Sequence, residues 1–168
     1  YEAGIGETRA ALVEDGEIIE ARIEREGEGP RFGAIVAARL VEAGKAPMVA
    51  LDGPGERVAT LAALPPATSI GARLTVEITR MALRERGRDK PARARLAEPG
   101  AALADGPDLR ARIAASRLSV TEIRATGPDL LEQAGWSEAI DRVRAGHWPF
   151  AGGALWVDAT PAMVLIDI

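Results

Sequence analysis

RLTVEITR, residues 73–80, alternates without interruption. Leu74, Val76 and Ile78 fall on one face, and Thr75, Glu77 and Thr79 on the other. A repeat of two residues is the spacing of a strand with one buried face, because successive side chains point to opposite sides. Segments of the same kind flank it. FGAIVAARLV (32–41), PMVAL (47–51) and RVATL (57–61) come before, and 92–97 follows as a closing strand. Glycine and proline stand in the gaps, as in Asp52-Gly53-Pro54-Gly55, and punctuate one strand from the next.

Short strands so spaced predict a small barrel, and an OB-type barrel fits the length. Upstream, ETRAALVE (7–14) and EIIEARIER (17–25) flank Asp15-Gly16, a strong hairpin signal. Ile19, Ala21 and Ile23 share one face of the second strand and are expected to point inward. After Pro99 the character changes. AALADGP (101–107) reads as a linker or a short frayed helix, and DLRARIAA (108–115) as a helix capped by Asp108. LSVTEIRA (118–125) reads as a strand, and 129–134 and 137–145 as helices. The second of these begins at Ser137-Glu138 and stops at Gly146.

The final stretch, GGALWVDATPAMVLIDI (152–168), reads as two apolar strands around an Ala-Thr-Pro connection. The second strand carries a single carboxylate, Asp167, in an apolar run. An ionised aspartate is costly to bury, so this position predicts a partner, a hydrogen-bond shell or a metal. The chain ends one residue later and begins at Tyr1, so both natural ends are expected further out. The order is hairpin, barrel, helices, hairpin, which suggests that the first and last hairpins share one sheet interrupted by the barrel.

Composition narrows the chemistry. A chain of 168 residues, 47% apolar and 27% charged, is ordinary for one domain or two small ones. Without cysteine it has no disulfide, zinc-thiolate site or thiol nucleophile. No apolar run reaches the ~18 residues of a membrane span and no signal peptide is visible, so a soluble, cytoplasmic protein is expected. The net charge of −4 opposes non-specific nucleic-acid binding, but it averages over an uneven chain. RMALRERGRDKPARAR (80–95) sets Arg80, Arg84, Arg86, Arg88, Lys90, Arg93 and Arg95 against only Glu85 and Asp89. Local fields of this kind, not global charge, steer polyanions.

These segments together carry a family resemblance. GGALWVDATPAMVLIDI is similar to the part of the ribonuclease E/G family that runs Gly-Gly, apolar strand, acid-x-Thr-x-Ala, apolar strand, Ile-Asp. ETRAALVEDGEIIEARIERE resembles the opening hairpin of that family, and GAIVAARLVEAGKAPMVALDGPGERVATL the start of its inserted S1 (OB-fold) domain. GARLTVEITRMALRERGRDKPARARLA resembles the later S1 strands and their Arg-Gly-x-Lys-Gly loop. The likeness is colinear over most of the chain. It implies a strand-rich α+β fold, with a split RNase H-like sheet and an inserted S1/OB-type β-barrel. Residues 1–31 would be the first hairpin of the RNase H-like domain, 32–98 the S1 domain, and 99–168 the returning RNase H-like part.

The resemblance further implies an Mg²⁺-dependent endoribonuclease acting on single-stranded RNA in RNA processing or decay. Asp167 falls on a catalytic, metal-ligating position. Lys90 matches the loop lysine that contacts RNA, and Arg84, Arg86, Arg88 and Arg93 are placed to hold phosphates. The partner is single-stranded RNA with no membrane, and homo-oligomerisation of the full-length protein stays open. With one metal ligand, these 168 residues alone are expected to be inactive. The alternative is a non-catalytic S1-type RNA-binding or interaction module.

Departures from the family pattern mark a reduced member. Ala50 and Thr60 stand where S1 domains of this family carry base-stacking aromatics, and Pro161 replaces an acid in the last turn. Nothing in 97–135 matches the family's pocket for an RNA 5′ monophosphate. His147, the only histidine, could shuttle protons, but its place beside Trp148 suits packing better. Trp148, Phe150 and Trp156 read as core or hairpin cover. No phosphate loop and no Gly-x-Ser-x-Gly occurs.

Overall fold

A computed structural model describes residues 1–53, 57–85, 88–124, 126–160 and 163–168, with Glu85 and Arg88 described by their backbones only. Pro54, Gly55 and Pro161, which punctuate turns in the sequence, lie outside the described residues, as does Ala125. The chain divides into two compact units, one of residues 27–108 and one of 1–26 with 109–168.

The first unit is a closed barrel. Its strands are β4 (Ile35–Glu42), β5 (Met48–Leu51), β6 (Val58–Leu61), β7 (Arg73–Arg80) and β10 (Ala92–Leu96), in the order β10-β6-β5-β4-β7. β10 pairs antiparallel with β7 and parallel with β6, while the other pairs are antiparallel. Counted along the chain, the barrel strands therefore run 1-2-3-5-4 and back to 1, compatible with an OB-type barrel. Leu74, Val76 and Ile78 point inward as their alternation predicts, with Val76 and Ile78 fully buried.

Ala34, Ala38, Ala59, Ala92 and Ala94 share the interior with Leu40, Val49, Leu51 and Leu61. Small barrels alternate large and small side chains in this way because the lumen is narrow. The stretch 97–107 is neither a linker nor a helix. Ile35 and Ala104 exchange backbone hydrogen bonds at 2.9 and 3.0 Å, which lays this segment along the first barrel strand. Gly106 is buried there, and a Cβ at this position would stand 2.3 Å from the Phe32 carbonyl oxygen.

The other unit holds two separate three-stranded sheets, not the single shared sheet expected. One is β1 (Glu2–Ala3), β2 (Glu7–Glu14) and β3 (Glu17–Arg25); the other is β11 (His147–Phe150), β12 (Gly153–Ala159) and β13 (Val164–Asp167). Helices α1 (Leu109–Ala115), α2 (Leu130–Gln133) and α3 (Trp136–Ala145) lie between them in the chain. Leu109, Leu131, Trp136 and Ala139 are buried here with Ala10. α2 is capped by Asp129, whose Oδ1 accepts from the Glu132 N–H at 2.9 Å. α3 begins after Gly135, not at Ser137, and ends at Gly146 in the left-handed conformation.

Two expectations are corrected here. Within the segment expected as a strand, the described residues 118–124 form none; they contribute one bridge, Ile123 beside Glu2, with the Ile123 N–H donating to the Tyr1 carbonyl oxygen at 2.9 Å and the Tyr1 amino group donating to the Thr121 carbonyl oxygen at 3.0 Å. Ile19, Ala21 and Ile23 face solvent, and Ile19 is 56% exposed. The covered face is the one that carries Glu24, on the same side as the buried Ala10 of β2, and Glu24 pairs with Arg112 at 2.9 Å. Among the described residues no helix is long and apolar enough to cross a membrane.

Two substitutions test the barrel. Leu40→Ala, at a fully buried site, should cost about 2–5 kcal/mol. Gly106→Ala should cost roughly 1–3 kcal/mol, because the new methyl meets backbone that must shift. Urea unfolding reads both, and an unchanged midpoint for Gly106→Ala would show that 97–107 does not pack on the barrel.

Candidate nucleic-acid interface

The second and third strands of the barrel present an open outer face. Val49, Leu51, Ala59 and Leu61 point into the core, which turns Met48, Ala50, Val58 and Thr60 outward. Their register sets Met48 opposite Thr60 and Ala50 opposite Val58. The result is a floor two strands wide, made of small or aliphatic side chains with no charge. Ala50 and Thr60, the positions that would carry aromatics, both lie on it.

Arginines stand on either side of this floor. On β4, Arg39 is the cross-strand neighbour of Ala50. On β10, Arg93 runs beside Thr60. Both side chains are exposed. Three strand spacings separate β4 from β10 across the floor, roughly 14 Å at about 4.8 Å each.

The connection between the fourth and fifth barrel strands forms a small ribbon of its own, where a loop was expected. β8 (Leu83–Glu85) pairs with β9 (Arg88–Lys90), setting Arg84 opposite Asp89 and Leu83 opposite Lys90. Arg84 is exposed and Lys90 half-buried. Arg86 lies outside the described residues, and only the backbone of Arg88 is placed.

The basic strip 80–95 is therefore not one surface. Arg80 bends toward the end of the barrel and donates from Nη2 to the Pro91 carbonyl oxygen. Arg95 faces outward but is bound to Glu77 by two hydrogen bonds, at 2.9 and 2.7 Å. Arg39, Arg73, Arg84 and Arg93 form no ion pair with a described carboxylate. Arg39 and Arg73 lie outside the basic strip, and the sequence reading missed them. Their signal was positional: each stands at an outward step of an alternating strand, Arg39 between buried Ala38 and Leu40 and Arg73 beside half-buried Leu74.

Asp167 belongs to the other unit. Every residue of β13 is exposed, so the burial cost that marked this aspartate does not arise. Its Oδ1 accepts from the Ile168 N–H at 3.1 Å. Asp167 lies opposite Trp156, and Trp156 lies opposite His147 with the rings stacked, centroids 3.9 Å apart. His147 is thus a strand residue held by an indole, and Trp156, half exposed, is its support. Asp158 shares the same sheet face as Asp167, since it lies two residues from Trp156 on β12.

The donor chemistry fits the magnesium ion that the ribonuclease resemblance implies. Both are carboxylates, neither is engaged by a described cation, and Mg²⁺ binds oxygen while keeping several waters. No group of three or more His, Asp or Glu side chains converges among the described residues, so water and phosphate oxygens would complete the shell. No family model matches the chain, and no curated protein or solved structure matches it.

An unpaired and a paired arginine on the same strand make a direct comparison. Arg93→Gln should flatten the salt dependence of oligonucleotide affinity by about 0.7 in log K against log salt, the value for one single-strand phosphate contact. Arg95→Gln should change it less, because Glu77 already occupies that guanidinium. Equal slopes for the two variants would exclude Arg93 from the interface.

Proposed function

We propose that the barrel binds single-stranded RNA and that the protein is a reduced endoribonuclease of the E/G type. The observation that carries the first part is the uncharged floor of β5 and β6 flanked by Arg39 and Arg93, neither of them paired with a described carboxylate, with Glu42 the acid at its edge opposite Met48. In OB-type barrels, this face and the connections beside it take oligonucleotides. Guanidinium contacts to phosphate provide affinity and register but read no sequence. Met48, Ala50, Val58 and Thr60 offer bases a surface without a stacking ring. Affinity should therefore be modest, indifferent to sequence and steeply dependent on salt.

The colinear segments of the family resemblance and the exposed carboxylate of Asp167 support the second part. Mg²⁺, when bound, supplies a Lewis acid for the phosphodiester and readies a water for attack. Asp167 would hold the ion through its carboxylate, with Asp158 on the same sheet face as a second oxygen donor.

Cleavage of a labelled single-stranded RNA tests the catalytic part. The protein, at the full length its gene encodes, should cut only with Mg²⁺, and Asp167→Asn should abolish cutting while leaving RNA retention intact. The isolated 168 residues should bind RNA without cutting it. Retention without Mg²⁺-dependent cleavage at full length would reduce the function to RNA binding. The floor has its own test. Ala50→Phe with Thr60→Phe should strengthen binding of oligouridylate by about 1–3 kcal/mol for each base that stacks. An unchanged affinity in fluorescence anisotropy would place the RNA elsewhere.

A further inference from the structure

Arg39 and Arg73 are direct cross-strand partners on β4 and β7. Both are exposed. Like charges directly opposite each other on a sheet repel. On β10, Arg95 lies opposite Glu77 and is bound to it at 2.7 Å, whereas Arg93 lies opposite Arg80, whose guanidinium donates to the Pro91 carbonyl oxygen. No described carboxylate pairs with Arg39 or Arg73. Arg39 gives one Nη1–H to the Gly71 carbonyl oxygen at 2.9 Å, and the remaining donors of both guanidiniums have no acceptor among the described residues. The fold thus sets two arginines opposite each other with most of their donors unused by the described residues.

We propose that the Arg39–Arg73 pair is a phosphodiester clamp, a binding site for the RNA backbone additional to the floor of β5 and β6. A phosphate lying between the two side chains accepts from both guanidinium forks and replaces their repulsion with attraction. The site is continuous with the floor. Arg73, Arg39, Ala50 and Val58 form one row across four adjacent strands. A strand of RNA that crosses the floor from the Arg93 side therefore leaves it over the clamp. Lacking stacking aromatics, this barrel draws its grip from phosphates, and the clamp supplies two of the cations. The inference rests on the RNA-binding reading and adds to it a defined exit for the strand.

Fluorescence anisotropy of labelled oligouridylate over a series of salt concentrations tests the clamp, comparing the unaltered protein with Arg39→Gln/Arg73→Gln. The clamp neutralises one phosphate, so the slope of log K against log salt should fall in magnitude by about 0.7. Both positions are exposed and relieve a like-charge pair, so the double variant should melt no lower than the unaltered protein at low salt. RNA binding with an unchanged slope would overturn the clamp and leave the RNA-binding reading standing. If the unaltered protein binds no RNA, that reading fails, and side-chain Nε–H resonances titrated with tripolyphosphate decide the rest. Shifts at Arg39 and Arg73 would keep the clamp as a phosphate site and overturn RNA as its ligand; no shift would overturn both.

Discussion

The narrowness of a five-stranded barrel governs the rest of the first unit. Its lumen holds two layers of aliphatic side chains only if small residues sit among them, and five alanines do so. Once Val49, Leu51, Ala59 and Leu61 are committed inward, Met48, Ala50, Val58 and Thr60 have no other place than the outer wall. A slip of one residue would bury Arg39 and Arg93 and expose the core. Register, set by packing, is what puts these cations on the surface. The irregularity between Arg93 and Ala94 serves the same end, keeping Ala94 buried against Ile78 while Arg93 stays outside beside Thr60.

A chain of net charge −4 can carry a cationic face because its charges are spent unevenly. In the unit of residues 1–26 and 109–168, most arginines are paired with acids: Arg9 with Glu2, Arg25 with Glu7, Arg112 with Glu24, Arg110 with Glu122 and Arg142 with Glu138. Such exposed pairs contribute little stability each, but they cancel the local field. On the barrel wall no described carboxylate pairs with Arg39, Arg73 or Arg93, although Glu42 stands opposite Met48 at the edge of the floor. Cations left unpaired in this way are what local attraction of a polyanion requires.

What was legible in the sequence follows the same physics. Period-two alternation in 73–80 marked the inward set Leu74, Val76 and Ile78, because core packing leaves its trace in every second residue. The same signal misled in β3. There Ile19, Ala21 and Ile23 form the more apolar face, yet α1 covers the opposite one through the Glu24–Arg112 ion pair. Alternation identifies two faces but does not say which one a distant element will cover. The role of 97–107 left no periodic trace at all. It rests on two backbone hydrogen bonds to Ile35 and on the missing side chain of Gly106, neither of which depends on residue pattern. The arginine cluster at 80–95 was visible as composition, while its division into spent and unspent cations depends on contacts such as Glu77 with Arg95.

Asp167 shows the reverse case, in which a sound inference rested on an unmet premise. A carboxylate in an apolar run demands a partner only if the run is buried, and β13 is exposed along its length. Exposure instead leaves its oxygens accessible, with Asp158 on the same sheet face, to a cation that arrives with its own waters and requires few protein ligands. What supports the proposed hard cation at this sheet is therefore exposure and oxygen donors, not burial.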